Sequence, residues 1–166
     1  SKGRLESSLD DQTRLTVEQQ WAAMKGYLRI QGDRQPRWFF DRNDPDESYI
    51  VEQIRRVYML ASADGAPLQW STVYREDLGF DSPADIRRVL ASGRPSWTLR
   101  QDRRKQPYLI RAGLVYDEEH RRPYYVAIGR SLAPNRAIVR GYTWIFAGII
   151  PLGILCGSLM GWVAAG

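Results

Sequence analysis

The sequence predicts an α+β fold in which a long N-terminal helix backs a small antiparallel sheet, followed by one transmembrane helix. Three observations predict it. Leu5, Leu9, Val17, Trp21, Met24 and Leu28 recur at spacings of three, four or their multiples, the period of a helix with one apolar face. Three segments, 95–100, 107–116 and 123–131, are rich in β-branched and aromatic residues and are separated by turn formers, as antiparallel strands are. The 24 Lys and Arg and 19 Asp and Glu residues all lie at or before Arg140, so residues 141–166 carry no charge.

Taken in order, residues 5–30 form the helix. Ser7, Ser8, Asp10, Asp11 and Gln12 make its early part polar and stalk-like, whereas Trp21 to Leu28 can pack. Residues 31–36 and 41–46 are dense in turn formers and read as loops around Trp38, Phe39 and Phe40. Residues 49–60 lean towards a strand in their later part. The turn signal at Asp64-Gly65 joins them to a second extended run over 68–74, a hairpin. Asp81-Ser82-Pro83 supplies a cap and a first-turn proline for a short helix over 84–90, which Gly93 ends. The strands follow, with residues 117–122 as a solvated hairpin tip, and residues 132–140 lead out of the sheet. The expected domains are a stalk helix at 1–31, a sensor at 32–135, and a juxtamembrane segment with its membrane helix at 136–166.

Composition narrows the chemistry. The net charge is +5, and a single His and a single Cys leave no intrachain disulfide, CxxC motif or two-histidine metal site. Arginines are interleaved with acids and form no stripe that could track a phosphate backbone, so no nucleic-acid partner is expected. Neither a phosphate-cradling glycine loop nor a Ser/His/Asp or Cys/His arrangement is present, so no catalytic residue is assigned. The chain opens on Ser1 with no signal-peptide pattern, the expectation for a piece of something longer.

Residues 142–165 are long enough to cross a hydrocarbon core as a helix at about 1.5 Å per residue. Tyr142, Trp144 and Phe146 at one end and Trp162 at the other suit the two interfaces. The alternative is a buried core helix. Gly153, Gly157 and Gly161 fall four apart on one face, which suits close helix pairing and a homodimer, although glycine is common in such spans in any case. Pro151 removes one donor and bends the helix, and Cys156 reads as a small packing residue. By charge alone, Arg136 and Arg140 place their end of the span in the cytoplasm.

Two clusters are candidates for a site. Arg100, Arg103 and Arg104, with Lys105 and only Asp102 to offset them, lie beside Trp97 and Tyr108. A guanidinium offers a planar fork of donors to carboxylate or phosphate oxygens, so Arg100, Arg103, Arg104 and Tyr108 form the candidate ligand site. The same cluster could meet lipid headgroups or remain a solvated loop. Asp117-Glu118-Glu119-His120 gathers four ligand types, but neighbours on one tight turn do not converge on an ion unaided, so no metal is assigned. Trp70 and Tyr74, four apart, suit either core packing or a ligand-facing pair. Asp44, Asp46, Asp77 and Asp81 lie in turn-like sequence, where acids cap and solvate.

The run Arg121-Arg122-Pro123-Tyr124-Tyr125-Val126-Ala127-Ile128-Gly129-Arg130-Ser131-Leu132, then a short basic segment and an uncharged span closing in Gly161-Trp162-Val163-Ala164-Ala165-Gly166, resembles the input half of membrane-bound sensor histidine kinases. The resemblance implies a PAS-like or PDC-like fold for residues 31–132. It also implies a sensor outside the cytoplasm, the Gly166 end at the cytoplasmic face, and a place in a bacterial inner membrane. It further implies a homodimer responding to a small molecule or an envelope protein, and a downstream kinase that uses ATP and Mg and acts on a response regulator. The chain itself carries no cofactor signature, and it departs from the family in having no HAMP linker, ATP-binding motif or phospho-accepting His. His120 lies in a hairpin tip and does not take that role. A chemoreceptor or cyclic-dinucleotide enzyme as the output, or an envelope protein-binding module, are the alternatives.

Overall fold

The stripe of Thr13, Val17, Trp21 and Met24 is buried in the computed structural model, which describes residues 2–32 and 34–132 and the side chains from Asp11 onward. These residues lie on helix α1 (Lys2–Tyr27). The helix stops before the expected limit. Leu28 stays buried but leaves in a short strand, β1 (Leu28–Arg29), which pairs antiparallel with β2 (Arg37–Trp38). The amide of Phe39 donates to the Tyr27 carbonyl at 2.8 Å and draws the intervening loop back onto the helix end.

Residues 45–56, expected as loop and strand, form helix α2 (Pro45–Arg56). The start signal lies in Asp44-Pro45-Asp46-Glu47. The Asp44 carboxylate accepts from the Asp46 amide at 2.9 Å, Pro45 occupies the first turn, and two acids face the positive end of the helix dipole. Arg55 and Arg56 complete the opposite end, while Val51 and Ile54 are buried three residues apart. Strand β3 (Tyr58–Ser62) then turns back as β4 (Pro67–Trp70). Their turn needs Gly65, whose φ is +92° and where a Cβ would lie 2.7 Å from Pro83 Cα.

The extended run does not continue to Tyr74. Residues Val73–Leu78 form a π-helical segment, in which the Gly79 amide donates to the Tyr74 carbonyl at 2.8 Å. Helix α3 (Pro83–Ser92) follows as expected. Ser82 Oγ accepts from the Asp85 amide at 3.1 Å, and Gly93 closes the helix with φ of +62°. The remaining strands are β5 (Ser96–Gln101), β6 (Pro107–Tyr116) and β7 (Pro123–Ser131).

β3 to β7 make one antiparallel sheet of five strands, in the order β4-β3-β7-β6-β5. The last strand in sequence is therefore the central one. This is an α+β arrangement. Successive side chains alternate between faces. Tyr58, Leu60, Val126 and Ile128 pack against Val17, Trp21 and Met24 of α1 and Ile54 of α2. On the other face Met59, Ala112, Tyr125 and Ala127 pack against Tyr74 of the π-helical segment and Ile86 and Val89 of α3. Residues 124–128 are consequently buried without interruption. Burial of an aliphatic side chain such as Met24, Ile54, Ile86 or Ile128 stabilises the fold by about 1.5–3 kcal/mol.

By its own contacts the chain divides into Ser1–Ser131 and Leu132–Gly166. No helix among the described residues is long and apolar enough to cross a membrane. This corrects the expected fold class, which ended in a transmembrane helix, and the inner-membrane placement that went with it. The longest helix among the described residues, α1, carries Asp11, Arg14, Glu18 and Lys25 along its length, charges that a hydrocarbon core does not accommodate. Residues 142–165, with the expected pairing face Gly153, Gly157 and Gly161, lie outside the described residues.

Candidate functional site

Of the expected ligand residues, Arg100 is already engaged inside the protein. Its Nη1 donates to Asp81 Oδ1 at 2.8 Å, and its Nη2 donates to the carbonyls of Leu78 at 2.6 Å and Gly79 at 3.0 Å. These carbonyls close the π-helical segment, so Arg100 caps it as a cation caps any helix C-terminus. The other oxygen of Asp81, Oδ2, accepts the hydroxyls of Tyr74, at 2.8 Å, and Tyr125. Burial first, and then the Asp81 charge, push both phenols well above the usual tyrosine range, so both remain protonated donors. The network joins β5, β7 and the π-helical segment.

Tyr108 is the register partner of Arg100 across β5 and β6, whereas Arg103 and Arg104 follow on the turn beyond the strand. Arg103 and Arg104 are exposed on the turn between β5 and β6. There the Asp102 carboxylate accepts the amides of Arg104 and Gln106, each at 2.8 Å, and Lys105 takes φ of +63°. Tyr108 is half-buried beside the second core, and its phenol is pushed up by burial and then by Asp102 and Asp77.

Asp117, Glu118, Glu119 and His120 organise the β6–β7 tip. The Asp117 carboxylate is buried and accepts the amides of Arg121 at 2.7 Å and Arg122 at 3.3 Å. Glu118 accepts from Gln31 Nε2 at 2.9 Å and pairs with Arg29 Nε at 3.7 Å, tying the tip to β1. His120 stacks on Tyr116 with ring centroids 6.1 Å apart. Trp70 and Tyr74 also diverge. Tyr74 is fully buried, whereas Trp70 is 39% exposed and meets the edge of Phe80 at 5.2 Å.

A concave feature lies elsewhere. A groove of about 920 Å³ runs between the loop after β2, helix α2 and the edge strand β4, lined by Arg37, Trp38, Phe39, Phe40, Arg42, Ser48, Arg55 and Gln69 among others. A second depression of about 490 Å³ shares Phe40, Ser48 and Arg55 and adds Glu52, Arg56, Tyr58 and Trp70. Hydrogen bonds fix the floor. Gln69 Oε1 accepts from Trp38 Nε1 at 2.9 Å and from the Tyr58 hydroxyl at 2.8 Å, while Gln69 Nε2 donates to the Pro36 carbonyl at 3.1 Å. Trp38 meets Tyr58 edge-on at 5.2 Å. The guanidinium of Arg55 lies 5.7 Å from the Trp38 ring and that of Arg42 lies 6.0 Å from the Phe40 ring. The sequence reading missed this site. Its signals were the three consecutive aromatics flanked by arginines in Arg37-Trp38-Phe39-Phe40-Asp41-Arg42 and the Arg55-Arg56 pair, which the capped α2 carries to its final turn. A rigid aromatic floor ringed by guanidinium groups can hold a ligand with oxyanion character.

Comparison with known proteins finds no matching protein-family model and no matching curated protein. Among solved structures, the chain is similar to the PAS domain of an HTR-like protein from Haloarcula marismortui. That similarity has 14% identity, covers 52% of this chain and 93% of that chain, and has a TM-score of 0.33.

Proposed function

We propose that the chain is a signal-input module, a PAS-like sensing domain that binds a stimulus in the α2/β4 groove and passes the change through its sheet to an output region. By the resemblance of residues 121–132 and 161–166, that output is a histidine kinase. One observation carries the reading. Tyr58, whose hydroxyl is fixed in the groove floor, is the register partner of Ile128 on the central strand β7, so floor and central strand share one ladder.

The energy required is modest. A stimulus need only bind one of two sheet arrangements better, and about 1.4 kcal/mol of difference changes their ratio tenfold. Loss of the Tyr58–Gln69 hydrogen bond, about 1 kcal/mol, should shift the ratio about fivefold. The test joins the chain to a histidine kinase catalytic core and follows autophosphorylation. Tyr58→Phe, which removes one hydroxyl and little volume, is expected to change basal output severalfold. Output that ignores both Tyr58→Phe and a disturbance of β7 such as Gly129→Ala would remove the sensing role.

A further inference from the structure

We infer that the α2/β4 groove is a site for a small aromatic anion, with a carboxylate or phosphate held by Arg42 and Arg55 and a flat ring laid against Trp38 and Phe40. This deepens the sensing role and rests on it for its biological purpose. The geometry of the site stands separately.

The charge comes first. Arg37, Arg42 and Arg55 line the groove with no carboxylate among the lining residues, and Arg56 joins them in the adjoining depression, where Glu52 is the acid present. Some arginines elsewhere are engaged, Arg100 by Asp81, Arg111 by Glu18, Arg29 by Glu118, Arg88 by Asp85 and Arg121 by Glu119, while others among the described residues, such as Arg87, Arg94, Arg103 and Arg104, stand singly on the surface. Among the described residues no ion pair engages Arg37, Arg42, Arg55 or Arg56. Like charges gathered around one concavity repel one another, and an oxyanion relieves that repulsion while accepting two N–H bonds from each guanidinium fork.

The floor selects the rest of the ligand. Gln69 commits its carbonyl oxygen and one of its two amide N–H groups to protein partners, and the Trp38 and Tyr58 donors point at Gln69. The floor therefore offers a ligand mainly ring surface, with one N–H of Gln69 as its remaining donor. Phe39 is 54% exposed beside it, an apolar area that a bare inorganic ion would leave in water. Both features favour a flat apolar body behind the charged end. Volume agrees, because about 920 Å³ lies within the range of small-molecule sites.

The test is calorimetric titration of the intact chain with phthalate, with adenosine monophosphate and with inorganic phosphate, following tryptophan fluorescence in parallel because Trp38 lies in the floor. Saturable binding of phthalate or adenosine monophosphate at least tenfold tighter than inorganic phosphate is expected. The tighter of the two identifies the charged group as carboxylate or phosphate. Arg55→Gln should weaken that binding at least tenfold. Arg42→Gln, in a loop where folding is not at stake, should weaken it severalfold. Arg88→Gln, an exposed arginine on α3, should leave it unchanged. Absence of saturable binding to either organic anion would overturn the inference, as would inorganic phosphate binding equally well or Arg88→Gln matching Arg55→Gln. Binding with the expected variant pattern but no change in the output of the kinase fusion would remove the sensing role and leave the site. Output that responds to Tyr58→Phe without binding of any probe would do the reverse.

Discussion

Arg100 meets Asp81 at 2.8 Å where β5 passes the end of the π-helical segment, and the pair is the hub of a polar network inside an otherwise apolar layer. Their side chains are only 26% and 14% exposed. Desolvation at such a site is offset only when the remaining lone pairs and N–H groups are satisfied. Here Tyr74 and Tyr125 satisfy the carboxylate, and the Leu78 and Gly79 carbonyls satisfy the guanidinium.

Removing one member should therefore cost far more than a surface pair would. Asp81→Ala strands a cation and two hydroxyls, and is expected to lower unfolding free energy by about 3–5 kcal/mol in a urea titration. Combining it with Arg100→Ala should cost clearly less than the sum of the two single losses, because the second substitution removes the charge that the first left unpaired. Additive losses would show that the two residues act separately.

The buried phenols predict the behaviour at high pH. Burial, the largest cause in each case, raises Tyr58, Tyr74 and Tyr125 above the ordinary tyrosine value near 10; Asp81 adds to it for the latter two, and Arg55 partly opposes it for Tyr58. Below pH about 10 these groups are protonated in both states, and their contribution to stability is fully present. Above it the unfolded chain releases protons that the folded chain retains, so stability falls by about 1.4 kcal/mol per pH unit for each tyrosine. Ultraviolet titration should show at least three of the nine tyrosines ionising only when the protein unfolds. Free ionisation of all of them in the folded state would contradict this.

Gly129 on β7 tolerates no side chain. A Cβ there would overlap Ile110 Cδ1 and lie 2.8 Å from the Leu109 carbonyl oxygen, and the Gly129 amide must also reach the Val57 carbonyl at 3.0 Å. Gly129→Ala should cost about 1–3 kcal/mol, as overpacking does. Shortening the neighbour with Ile110→Val should restore only part of the loss in the double variant, since the backbone contact to Leu109 persists. Full restoration would mean that the side-chain overlap alone opposed the alanine.

Where the governing signal was local, the sequence displayed it. Ser82-Pro83 and Gly93 bracket α3 by their own capping chemistry, and the β6 and β7 boundaries follow from prolines and a polar tip. Helix α2 was misread because Tyr49, Ile50, Val51, Ile54 and Val57 favour strands, although Asp44-Pro45 had already started a helix and Val51 and Ile54 share its buried side. The π-helical segment was not legible. Its last carbonyls are held by Arg100, from a strand beyond α3, so nothing within residues 71–79 announces it. The same distance hid the site. Arg100 reads as a ligand-binding cation at a strand end until Asp81 is folded against it, and the groove needs Gln69, from the β3–β4 hairpin, to hold Trp38 in place.

Arg111 on β6 carries the last prediction, because its packing and its charge can be separated. Its guanidinium lies 3.9 Å from the Trp21 ring and 5.9 Å from Trp97, which Arg14 covers at 4.7 Å. Burial pushes its pKa down, its Nε makes no hydrogen bond, and its ion pair to Glu18 is long, at 3.7 Å, with the acid half exposed. Little of its worth therefore comes from the pair. A cation over a ring is worth about 0.5–2 kcal/mol, and desolvation of the same charge opposes that gain. The aliphatic stem and the filled volume between two tryptophans remain as its main contribution. Arg111→Met, which keeps that volume, should stay within about 1 kcal/mol of the parent protein, whereas Arg111→Ala, which opens a cavity beside Trp21, should lose about 2–3 kcal/mol. Urea unfolding followed by tryptophan fluorescence measures both. Equal losses for Met and Ala would assign the stabilisation to the charge on the rings instead of to the packing.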